Sequence, residues 1–452
     1  MKYYISLFFA ILWIDSCSGL FYQIFPILEK FSSLLFFSCH FGIILLALTT
    51  LRHRSLKYLV LFFSIILIGL IPYTYEDGIT IVQFLNGSRD FVPLFFSLIF
   101  ITNMLYSNHR VIFYQKMNKF ILYFLCVQVP ICIVQFFIYG MGDEVGGTGG
   151  SFGSGNISIL IYTGTFYLLS QTANTKKLLE VLFKNKYLLL LWIPSLINET
   201  KVTFLLIPLF FLMCFEYNFR KIIRNIPVIL IGIIFSFAFL QMYQYFNEDR
   251  SLAEVMQGGY IIEYDLEKSY ETIEKYGDEL GKYTDSRTLR LILGMLELSK
   301  NNMSLIFGKS LGHFKGGTIG QTKFAKENEY VTGRGSKSFI LVGLMQIGIV
   351  GTILVYLAIF IGLSKRNEKL PSLENNNSKM RCFLLLVTIG ISYYSTAFLS
   401  FYLSAMFFYI GIVSTLPNSI MEQLKAQPFY SKRKQYSILK HLYLPKANLS
   451  AA

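Results

Sequence analysis

The chain has 452 residues, of which 54% are hydrophobic, 17% aromatic and only 15% charged. Soluble domains carry roughly 25% charged residues, so a water-soluble enzyme of several domains is excluded. The net charge of +14 needs no nucleic-acid partner, because basic loops facing anionic lipid headgroups account for it.

Apolar runs of about 16 to 22 residues recur from end to end, the length that crosses hydrocarbon as a helix. In chain order they predict spans at 3–20, 31–51, 57–73, 91–107, 120–139, 157–171, 186–198, 202–217, 225–245, 338–363, 380–396 and 399–416. The first run has a basic-then-apolar start but no small-residue cleavage site after it, and it reads as the first span. The expected fold is all-α, a polytopic transmembrane helix bundle with a large extracytoplasmic loop. Residues 1–246 hold spans one to nine, 247–337 the loop with amphipathic helices, 338–416 the last three spans and 417–452 a basic tail.

Lysine and arginine set the orientation, because cytoplasmic loops retain them. They follow every even-numbered span: Arg52, Arg54 and Lys57; Arg110, Lys116 and Lys119; Lys176, Lys177, Lys184 and Lys186. The pattern continues with Arg220, Lys221 and Arg224, then Lys365, Arg366, Lys369, Lys379 and Arg381, then the tail from Lys425. The intervening loops are neutral or acidic, as at Glu76-Asp77, so both termini are expected in the cytoplasm. Six cysteines, with no CxxC spacing, read as small core residues. Five scattered histidines offer no HExxH, and no protein-built metal site or cofactor is expected.

One segment breaks the pattern. Asn247 to Arg334 runs for roughly 90 residues without a span, and inserts of that length are usually functional or disordered. Within it, Asp285-Ser286 starts an amphipathic helix that is expected to bury Leu289, Ile292, Leu293 and Leu296, with Arg287 and Arg290 adjacent on its surface. Two glycine-rich stretches, Gly146 to Asn156 and Gly308-Lys309-Ser310-Leu311-Gly312, read either as flexible linkers or as backbone that approaches a phosphate or sugar.

Ionisable groups at outer span ends must snorkel, pair or meet a ligand. Arg89 opens span four, Lys201 sits in the turn before span eight and Lys337 opens span ten. Each alone reads as an interfacial anchor or a local pair, Arg89 with Asp90 and Lys201 with Glu199. Together with Arg287 and Arg290 they suggest a cationic pocket for a lipid-borne diphosphate, which guanidinium groups bind bidentately.

The order of these features resembles the superfamily of O-antigen polymerases and ligases, the Wzy and WaaL type membrane glycosyltransferases. The resemblance runs from Arg89 to Gly351. Its elements are the glycine-rich stretch Gly150 to Asn156, Thr200-Lys201, the segment from Arg290 through Gly308 to Gly312, and the span from Leu341 to Gly348-Ile349-Val350-Gly351. The family's His-Asn pair falls on Lys337-Ser338 and its acidic residue on Gln346. Ligases keep that histidine, so the chain is closer to the polymerases; His313 is a substitute base, and Glu297 and Glu329 are acidic candidates.

The resemblance implies a bacterial cytoplasmic-membrane enzyme that joins undecaprenyl-diphosphate-linked oligosaccharide repeats. It implies no cofactor, catalytic roles best matched by Arg290 and Arg89, substrate binding by Arg287, Lys201, Lys337 and His313, and a flippase and a chain-length regulator as partners. A ligase and a lipid-linked oligosaccharide flippase are the alternatives. Against a transporter, charges cluster at outer span ends and the two halves show no clear similarity.

Overall fold

The computed structural model describes residues 2–76, 79–140, 142, 144–173, 177–198, 202–215, 287–313, 338–364 and 375–426. Among them the chain is all helical, with no strand. A helix satisfies its own backbone donors and acceptors, which is what a segment this apolar needs wherever no water can do so. The helices are α1 (Lys2–Ile24), α2 (Ser32–Thr49), α3 (Leu56–Leu70), α4 (Ile81–Ser88), α5 (Val92–Leu105), α6 (Arg110–Tyr139), α7 (Ser154–Ala173) and α8 (Leu178–Lys184). They continue with α9 (Ile193–Ile197), α10 (Val202–Cys214), α11 (Arg287–Ser299), α12 (Asn302–Phe307), α13 (Phe339–Leu363), α14 (Asn376–Tyr394), α15 (Phe401–Thr415) and α16 (Asn418–Ala426).

Two helices form the centre. Every residue of α5 is buried, as is α15 from Phe401 to Ser414, and the two pack on each other. A helix apolar on all sides belongs inside a bundle. Around this pair stand α1, α2, α3, α6, α7, α13 and α14. Glycines let side chains seat closely, Leu98 against Gly362 and Leu363 against Gly411. Large apolar side chains such as Leu67 and Ile389 point outward, 64% and 69% exposed.

Charged side chains cap helices across the bundle. The buried carboxylate of Asp15, in α1, accepts the backbone N–H of Tyr402 at 2.9 Å, in the first turn of α15, where an acceptor is favoured. Lys379 donates its ammonium to the Phe215 carbonyl just past the end of α10, the cationic counterpart. Lys379 and Arg381 were expected in a basic loop. They lie instead inside α14, 4% and 2% exposed, because that helix begins at Asn376.

Among the described residues helical segments fall within eleven of the twelve stretches expected as spans, several of them too short to cross a membrane, and 225–245 lies outside the described residues. Among the described residues five stretches are long and apolar enough, by length and composition, to cross a membrane: Lys2–Ile24, His53–Thr74, Ile81–Leu105, Arg110–Tyr139 and Phe339–Leu363, the last only when its two arms, 339–347 and 349–363, are counted together. Two begin earlier than expected. α6 starts at Arg110 rather than 120, and span four starts at Ile81 and continues through the turn Arg89–Phe91 into α5. Arg89 therefore lies two turns inside a helix instead of opening it.

The span expected at 338–363 is folded in two. Gly348 has φ 63° and ψ −167°, and the arms 339–347 and 349–363 run back along each other. The Phe339 and Tyr356 ring centroids lie 6.2 Å apart, whereas the same 17 residues of straight helix would separate them by about 25 Å. A Cβ placed on Gly343 would come within 2.9 Å of Thr352 Oγ1. Phe339 N–H donates to the Ser395 carbonyl at 3.0 Å, fixing the start of the short arm at the end of α14.

Candidate functional site

The region that gathers polar groups is built by residues 287–313 docking on the short arm of α13. The buried positions of α11 are Arg290, Gly294 and Leu298, spaced four apart; of the expected face Leu293 packs partly buried against the arm, Leu296 is exposed, and the side chain of Leu289 lies outside the described residues. Leu296 is 53% exposed, while Leu298 packs with Leu341, Val342 and Met345 of the arm. The helix is thus rotated so that a guanidinium, 6% exposed, faces the bundle. The loop and the last three spans are one packed unit here, across the boundary expected at 337.

After α12 the chain becomes a latch. Gly308, Ser310 and Gly312 all have positive φ (81°, 78° and 85°). Added Cβ atoms show how close the backbones lie: on Gly308 one would meet Gly348 N at 2.6 Å, and on Gly312 Gln83 O at 1.9 Å. Between them Lys309 N–H donates to Met345 O at 2.8 Å, Ser310 Oγ to Gly69 O at 2.8 Å, and Leu311 is wholly buried. The glycines bring backbone to backbone, so in the protein itself this stretch is a clasp, not a linker.

The other glycine-rich stretch is likewise packed. Gly147 N–H donates to Gln135 Oε1 at 2.7 Å and Thr148 N–H to Gln128 Oε1 at 2.9 Å, both glutamines from α6. A Cβ on Gly150 would meet Gly19 O of α1 at 2.3 Å.

Inside the clasp lies an ion cluster. Lys309 Nζ stands 3.2 Å from Glu76 Oε1 and 3.3 Å from Glu297 Oε1, and Lys300 pairs with the other oxygen of Glu297. Ser304 Oγ donates to Glu76 Oε1 at 3.1 Å, and Tyr75 OH to the Gly308 carbonyl at 2.6 Å. Glu297 is therefore charge-paired rather than poised as a base. His313, read from the sequence as a substitute base, is 4% exposed. Burial holds its pKa down to about 4, with Glu76 opposing and Lys309 adding to the effect, so the imidazole is neutral and a weak base.

Beside the cluster, Gln346 Nε2 donates to Asp90 Oδ2 at 3.2 Å. Two polar atoms on residues linked through Asp90, Arg89 Nε beside it in the chain and Gln346 Oε1 on its hydrogen-bonded partner, are buried without a hydrogen-bond partner among the described residues. The Arg89–Phe91 turn packs on the turn Ala397–Leu399, and Leu399 packs against the same arm residues as α11. The segments that carry Arg89 and Arg290 thus both reach the short arm, through Asp90 and Leu298. Lys201 and Lys337 lie outside the described residues, as do Glu329 and the side chain of Arg287. Among the described residues no group of three His, Cys, Asp or Glu side chains is placed to hold a metal ion, and the six cysteines are free.

Sequence reasoning missed Glu76, Lys309 and the Asp90–Gln346 pair. A signal existed for Lys309, a lysine framed by two glycines four residues apart; none existed for Glu76, whose neighbours look like any outer loop.

What fold and site define is a class: an all-helical protein with helices long and apolar enough to cross a membrane, and a polar segment clasped to a folded helix. No protein-family model, curated protein or solved structure matches the chain.

Proposed function

We propose that this protein is a bacterial membrane glycosyltransferase that polymerises undecaprenyl-diphosphate-linked oligosaccharide repeats at the outer face of the cytoplasmic membrane. The acceptor sugar's hydroxyl oxygen attacks the anomeric carbon of the donor. The bond to the lipid diphosphate breaks with its electron pair, and the hydroxyl proton passes to base or solvent. Catalysis is then orientation of two membrane-tethered substrates and stabilisation of a departing polyanion. The observation that carries the reading is Arg290, a guanidinium turned inward by the register of α11 where the resemblance calls for an essential arginine. Its permanent charge and forked donors suit a diphosphate. Arg287, Lys201 and Lys337 are proposed to extend that site. A flippase and a chain-length regulator are the proposed partners.

The test is a gel of surface and lipid-linked glycans from a strain lacking this gene. A ladder that collapses to single repeats, restored by the intact gene and not by Arg290→Ala at equal expression, supports the reading. An unchanged ladder removes it. Polymer left on its lipid carrier makes the protein a ligase, and repeats trapped inside make it a flippase.

A further inference from the structure

We infer that Arg89 and Gln346 form the subsite for a sugar residue of the acceptor chain, leaving the diphosphate to Arg290; this rests on the polymerase reading above. Gln346 is 2% exposed, and its amide orientation is determined by its partner, since only Nε2 can donate to the Asp90 carboxylate. Its Oε1 is thereby turned away from Asp90, buried and without a partner among the described residues, as is Arg89 Nε. A buried polar atom without a hydrogen bond is costly, and native proteins rarely retain two such atoms on residues linked through one side chain, here Asp90, without a use for them.

The two atoms specify the chemistry of what they meet. Arg89 Nε–H needs an acceptor and Gln346 Oε1 needs a donor. A hydroxyl is both, and a sugar ring carries several around its rim. A phosphate satisfies only the arginine; it offers no hydrogen to Gln346 Oε1 and is repelled by the Asp90 carboxylate. A lipid tail satisfies neither. Asp90 holds Gln346 from one side, and the clasp holds it from the other. Lys309 N–H is bonded to the carbonyl of Met345, and a Cβ on Gly308 would stand 2.6 Å from Ile347 N, so both neighbours of Gln346 in the arm are pinned. A subsite held this rigidly selects hydroxyl geometry. The position where the polymerase and ligase families carry an acid is, in this chain, a neutral acceptor whose acid stands next to it on α5's leading turn.

The test uses the full-length protein in lipid nanodiscs and two probes. One is the lipid-free repeat oligosaccharide released from the surface polysaccharide of the cell that carries this gene; the other is undecaprenyl diphosphate. Gln346→Met keeps the side chain's length and removes its acceptor, and Arg89→Lys keeps the charge and removes Nε. The wild type is expected to bind both probes. Each variant should weaken the repeat by about ten-fold, the effect of one lost hydrogen bond to a buried group, and leave undecaprenyl diphosphate unchanged. In polymerisation assays both should raise KM for acceptor more than they lower kcat. Wild-type protein that fails to bind the repeat overturns the inference. So do folded variants, with melting temperatures near wild type, that bind it equally well or lose the diphosphate instead. If deleting the gene leaves the glycan ladder intact while these binding shifts hold, the polymerase reading falls and the sugar subsite stands.

Discussion

Replacing Gly348 by alanine tests the folded helix and the clasp together. At φ 63° and ψ −167° the residue occupies a region open essentially to glycine alone, which costs any other residue on the order of 1–3 kcal/mol. The methyl would also stand 2.3 Å from Ile306 O and 2.5 Å from Gly308 N, both backbone atoms that cannot rotate away. Relief requires residues 306–308 to withdraw from the arm, which breaks the Lys309 N–Met345 O bond and adds about 1 kcal/mol. Gly348→Ala is therefore expected to destabilise the docked segment by about 2–4 kcal/mol in all. The assay is cross-linking of cysteines placed at Phe339 and Tyr356, on a background lacking the six native cysteines, with a short bis-maleimide. The parent should cross-link readily and Gly348→Ala poorly, with a lower melting temperature. Unchanged cross-linking and melting in Gly348→Ala would refute the reasoning, and failure of the parent to cross-link would mean that α13 is straight.

Lys309→Met leaves two carboxylates without their shared counter-ion where all three side chains are no more than 16% exposed, and should destabilise by about 3–5 kcal/mol. Lys300→Met, at a side chain 72% exposed, should change the melting temperature little. His313 gives a pH signature. Its pKa is lowered in the fold from the ordinary 6.5 to about 4, so its contribution is complete above pH 6.5 and falls as the unfolded chain takes up a proton that the fold refuses. The loss reaches about 3 kcal/mol near pH 4; melting temperature recorded from pH 7 to 4.5 should drop less in His313→Asn. For the proposed topology, a cysteine at Thr272 should react with a membrane-impermeant thiol reagent added outside intact cells, and labelling only after lysis would invert the orientation.

The helices were legible because hydrocarbon leaves a segment few choices, so that runs such as Phe401 to Thr415 declare themselves by composition. Less legible was anything that depends on a helix's neighbours. The face of α11 departs from the apolar stripe because apolarity alone ranks Leu296 with its neighbours, while the arm of α13 takes up Leu298. The fold at Gly348 was hidden in an unbroken apolar run, where a single glycine is ordinary in membrane helices. Arg89 and Arg290 stood out as charges that needed an explanation, but their surroundings did not: Asp90 and Gln346 are 256 residues apart in sequence. Lys379 was counted as a loop charge since nothing local says that its ammonium reaches the end of α10.

The bond from Asp15 to the Tyr402 amide sets an order of events during synthesis. The carboxylate is made with the first helix, and its partner 387 residues later, roughly 20–80 s at ordinary translation rates. Throughout that interval the nascent bundle contains a carboxyl group that hydrocarbon tolerates poorly. A chain that ends before α15 therefore keeps this carboxyl group without the amide it meets in the finished fold.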